Sequence, residues 1–102
     1  MQFTKILVVG TNQPIMETIA RLIDKDGKWL ATIALTLNDA LESCYAKDFS
    51  LVLIGGGISE AEENVIKLHL ETMQLAIPVI QHYGGGSGLL FAEIYEALGG
   101  ER

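Results

Sequence analysis

The chain has 102 residues, a formal net charge of -6 and only seven Lys and Arg residues, scattered along its length. That balance argues against a phosphate-backbone partner, because nucleic-acid binding takes clustered positive charge. The single cysteine excludes an internal disulfide framework and a cysteine-based zinc site.

Apolar residues make up 49% of the chain and charged residues 20%, so one packed domain over 1–102 is expected rather than disorder. No apolar run approaches the ~20 residues of a membrane-spanning helix. No leader pattern opens the chain, so the expectation is a cytoplasmic protein with no membrane partner.

Lys5-Ile-Leu-Val-Val-Gly10 is a fully apolar run ending in glycine, the pattern of a strand covered on both faces. Thr11-Asn12-Gln13-Pro14 then opens a helix, with Asn12 or Gln13 near the cap and Pro14 at a tolerated first-turn position. Ile15, Ile19, Leu22 and Ile23 fall at helical spacing, and Gly27 is the expected stop. Trp29 to Thr36 alternates like a strand nearer the sheet edge, with Trp29, Ala31, Ile33 and Leu35 on one side.

Thr36-Leu-Asn-Asp39 resembles a capping box with Asp in place of Glu. Leu37, Ala40, Leu41, Cys44 and Tyr45 follow as a helical stripe, on which Cys44 reads as core. Leu51-Val-Leu-Ile-Gly-Gly-Gly57 is a second buried strand, ending in three glycines. Ser59-Glu-Ala-Glu62 is a stronger capping box. Val65, Ile66, Leu70 and Met73 are expected inward, and Glu60, Glu62, Glu63 and Lys67 toward water. Ile77-Pro-Val-Ile80 is the fourth strand, with Pro78 near its start or on an edge. Gly84-Gly-Gly-Ser-Gly88 leads into a last amphipathic helix through Leu89, Leu90, Ile94 and Leu98.

The order is βαβαβαβα, with no repeat or linker. Right-handed crossovers place helices on both faces, giving an α/β three-layer α/β/α sandwich. With the two fully apolar strands at its centre, the four-stranded parallel sheet is expected in the order 2-1-3-4.

Lys5-Ile-Leu-Val-Val, Asn38-Asp-Ala-Leu, Ser50-Leu-Val-Leu-Ile and Ile77-Pro-Val-Ile resemble the receiver domain of two-component response regulators, a flavodoxin-like fold. The resemblance runs from about Lys5 to Tyr83 and then breaks, with no fifth strand apparent. The family carries paired acids after the first strand, where this chain has Gly10 and Thr11. Its phosphoacceptor aspartate follows the third strand, where this chain has Gly55. Tyr83 stands at the position of its Thr or Ser. Phosphotransfer needs a carboxylate to attack phosphorus and neighbouring acids to hold magnesium, and glycine supplies neither. The resemblance therefore implies a degenerate receiver: a non-catalytic, phosphorylation-independent signalling and interaction module, with no cofactor and no metal.

The two glycine runs admit two readings. Gly55, Gly56 and Gly57 should lie beside Gly84, Gly85 and Gly86, each run followed by a helix start, so free amides would face one crevice. Thr11, Asn12, Ser59, His82 and Ser87 could add hydrogen bonds, forming with Gly10 a pocket for a nucleotide, a flavin phosphate or a corrinoid. Alternatively the glycines serve tight turns. His82, the one ionisable side chain expected there, reads first as a hydrogen-bonding residue. His69 lies in a helix far from it in sequence, which argues against a metal site. The missing fifth strand leaves strand four as an open edge, and a homodimer through strand four and the last helices would cover it.

Overall fold

A computed structural model describes residues 4–25, 27–45, 48–82 and 87–98. The elements follow one another as β1 (Thr4–Val9), α1 (Gln13–Lys25), β2 (Trp29–Ala34), α2 (Leu37–Cys44), β3 (Phe49–Ile54), α3 (Glu60–Thr72), β4 (Val79–Gln81) and α4 (Ser87–Ala97). All pairings are parallel and the sheet order is β2-β1-β3-β4. The expected topology is thus observed.

The central strands β1 and β3 are buried on both faces, and alternate residues feed two separate cores. Ile6, Val8, Leu51 and Leu53 meet Met16, Ile19 and Ile23 of α1 and Leu90 and Ile94 of α4. Leu7, Val9, Val52 and Ile54 meet Ala40 and Cys44 of α2 and Ile66 and Leu70 of α3. The parity of β3 is reset by a bulge: Lys5 pairs with Phe49 but Ile6 with Leu51, so Phe49 joins the second core and Leu51 the first.

Trp29 anchors α4 across the first face, its ring 5.1 Å from Tyr95 and 5.9 Å from Phe91. Both pairs are tilted rather than stacked, the arrangement that the aromatic quadrupole favours.

Three helix starts and one helix end are closed by the residues around them. The Asn12 side chain accepts the Ile15 amide at 3.1 Å. Thr36 accepts the Asp39 amide, and Ser59 and Glu62 form the full reciprocal box. Beyond α3, Gln74 donates its amide to the Glu71 carbonyl and Leu75 to the Leu70 carbonyl, both at 2.9 Å. That is a Schellman ending, and it holds Gln74 at a φ of 61°.

Four sequence expectations change. Ile15 is 52% exposed and Met16 takes the inward position on α1. On α3, Val65 is 42% exposed whereas Glu63, expected in water, is 6% exposed. Tyr45 does not join the buried stripe of α2 but lies exposed, edge-on to His69. The fourth strand does not start at Ile77 but only after Pro78, running Val79–Gln81, and Tyr83 lies outside the described residues.

Candidate functional site

The tips of β1 and β3 meet at the carboxyl end of the sheet, where the strand order reverses and α/β proteins place their ligands. Hydrogen bonds tie these tips to each other and to β2. Gly55 donates its amide to the Val9 carbonyl at 2.6 Å, Thr11 to the Gly56 carbonyl at 3.2 Å, and Gly10 to the Ala34 carbonyl at 3.0 Å. The Gly55 amide, expected to face a crevice, is therefore already engaged within the fold, as are those of Gly10 and Thr11.

Met16 packs over two of the tip glycines. A β-carbon on Gly10 would stand 2.5 Å from its Sδ, and one on Gly55 2.5 Å from its Cε. Neither position accepts a side chain while Met16 keeps this rotamer. Gly57 is constrained differently, with a φ of +88° and the Thr11 side chain where its β-carbon would project.

The remaining sequence-named residues divide by location. Asn12 and Ser59 cap α1 and α3. Gly84, Gly85 and Gly86 lie outside the described residues, and Ser87 opens α4. His82 follows β4, its amide donated to the Ile54 carbonyl at 2.9 Å. Its Nδ1 lies 2.6 Å from the Glu93 Oε1 on α4.

Glu93 is one residue the sequence reading missed. The spacing of Leu90 and Ile94 puts Glu93 next to the buried face of α4, but its pairing with a residue before the helix could not be read from spacing. Glu63 is another. It faces inward with Ile66 and Leu70, bonded by the Gln81 amide at 2.5 Å and paired with Lys67 at 3.1 Å. The i, i+3, i+7 spacing of Glu63, Ile66 and Leu70 carried that signal.

Beside these tips a cleft of about 740 Å³ opens between α1 and α4. Ile15, Ile19, Leu22 and Leu90 give it aliphatic walls, Met16, Ile54, Gly55, Gly56, Gly57 and Ile58 border it, and His82 lines it. Among the described residues no group of three His, Cys, Asp or Glu side chains could hold a metal ion. No described helix is long and apolar enough to cross a membrane.

Comparison with solved structures gives the fold a family likeness. A signal receiver domain from Vibrio parahaemolyticus superposes with a TM-score of 0.69 at 10% identity, over 95% of this chain and 91% of that one. A CheY-like response regulator receiver domain protein from Methanospirillum hungatei JF-1 gives 0.67 at 15% identity, over 95% and 94%. The fold is that of receiver domains. A response regulator signal receiver domain from Bermanella marisrubri gives 0.62 at 17% identity, over 95% and 99%. Alignment over 95% of the chain reaches past Tyr83, so the receiver likeness extends into the last helix. No protein-family model matches the sequence, and no curated protein does.

Proposed function

We propose that this chain is a receiver-like signalling module that works through protein contacts and neither accepts a phosphoryl group nor catalyses a reaction. The observation supporting this reading is the packing of Met16 over Gly10 and Gly55. In the receivers it resembles, those strand tips carry the magnesium-binding acids and the phosphoacceptor. Here a methionine thioether lies where a side chain on either glycine would project. A phosphoryl group there would find no carboxylate nucleophile.

The reading is tested by incubating the protein with acetyl phosphate and magnesium and measuring its intact mass. The expected result is an unchanged mass. A base-labile phosphoryl adduct would overturn it.

A further inference from the structure

We propose that the cleft between α1 and α4 is a binding site for a small neutral molecule with an apolar body and one hydroxyl donor. This goes beyond the interaction-module reading and does not depend on it. The cleft lies at the topological switch point, and its volume of about 740 Å³ falls in the range of small-molecule sites. Its walls include branched aliphatic side chains from two helices, which select an apolar body. Ile15, 52% exposed on the rim, is a large apolar side chain that such a body would cover.

The polar end is set by His82. The Glu93 carboxylate accepts Nδ1–H at 2.6 Å, and in the neutral tautomer that bond requires, Nε2 is the acceptor. No described residue is bonded to Nε2. An acceptor calls for a ligand hydroxyl, not a second acceptor.

Charge selects against an anion. Glu93 stands against the ring, the chain carries a formal -6, and the Gly10, Thr11 and Gly55 amides already donate within the fold. The anionic ligands that bare glycine amides would suggest therefore fit this cleft less well than a phenol or alcohol.

The test uses three probes of one shape: naphthol, its methyl ether methoxynaphthalene, and naphthoate. Each is titrated into the folded protein and followed by amide shifts in a two-dimensional NMR spectrum. Naphthol should bind about three- to tenfold more tightly than the ether, the span of one hydrogen bond, with shifts confined to cleft residues. Naphthoate should bind most weakly.

Two variants separate shape from donor recognition. A β-carbon on Gly56 meets nothing within 4 Å, so Gly56→Phe has room to fold, and it should abolish binding of both neutral probes. His82→Phe should keep ether binding and erase the preference for naphthol. Equal affinity for naphthol and the ether, tightest binding of naphthoate, shifts away from the cleft, unchanged binding to Gly56→Phe, or no binding up to the probes' solubility would each overturn the proposal.

Discussion

Met16 reaches over Gly55 so closely that its Cε lies 2.5 Å from where a β-carbon on that glycine would stand. The pair is a matched exchange: the strand tip gives up its side chain, and the helix fills the space with a flexible thioether. Gly55→Asp is therefore an overpacking substitution, and it should destabilise the fold by about 1–3 kcal/mol in urea unfolding. Met16→Ala alone leaves a cavity and should cost about 2–5 kcal/mol. The double variant should lose less than the sum by about 1 kcal/mol or more, because the space vacated by Met16 admits the aspartate. Strict additivity would show that the two residues do not compete for one space.

Gln74 gives a stabilising prediction. Its φ of 61° places a branched-at-Cβ-free but bulky residue in the left-handed cap position where glycine is favoured. Gln74→Gly keeps both capping hydrogen bonds and removes the steric cost, offset in part by the greater freedom of glycine in the unfolded chain. A net gain of about 0.5 kcal/mol, read as a raised urea midpoint at constant slope, is expected. A loss would mean that the Gln74 side chain supports the turn.

The sheet order and both buried strands were legible because unbroken apolar runs such as Ile6 to Val9 and Leu51 to Ile54 occur only where both faces are covered. The caps at Thr36 and Ser59 were legible because they are local chemistry. The face of α1 was not. Met16, Ile19, Ala20 and Ile23 satisfy helical spacing as well as Ile15, Ile19, Leu22 and Ile23 do, and what decided between them was room above two distant glycines. The site was legible only in position. Glycine runs mark a strand tip where backbone can approach closely, but whether their amides stay free depends on partners such as the Val9 and Gly56 carbonyls. Spacing along the chain says nothing of those.

Cys44 predicts a pH effect. Burial among the second core raises its thiol pKa above the ordinary value, because the thiolate is the poorly solvated form. The folded state therefore holds the proton more tightly than the unfolded chain. Its stability contribution is full below the unfolded thiol value of about 8.5 and is lost as pH rises beyond it. The difference in stability between the native protein and Cys44→Ala should narrow above that pH. A thiol reagent at neutral pH should react with Cys44 only as fast as the protein opens. Rapid stoichiometric labelling without denaturant would contradict the buried placement.

Self-association is the last expectation, and the structure changes how it must be tested. Among the described residues β4 pairs only with β3. At three residues it offers few ladder bonds, so most of the dimer's stability would have to come from the flanking helices. Charging Ile80 or Phe91 would be a poor probe, since both pack against the first core and would report on folding. Val65 and Leu68 are better placed: 42% and 62% exposed, they lie on α3, which Glu63 ties to Gln81 of β4. Sedimentation at micromolar concentration should show a dimer, and Val65→Lys with Leu68→Lys should return it to a monomer without lowering the melting temperature by much. A native protein that sediments as a monomer across the micromolar range would end the dimer hypothesis, and a dimer indifferent to both lysines would move the interface away from α3.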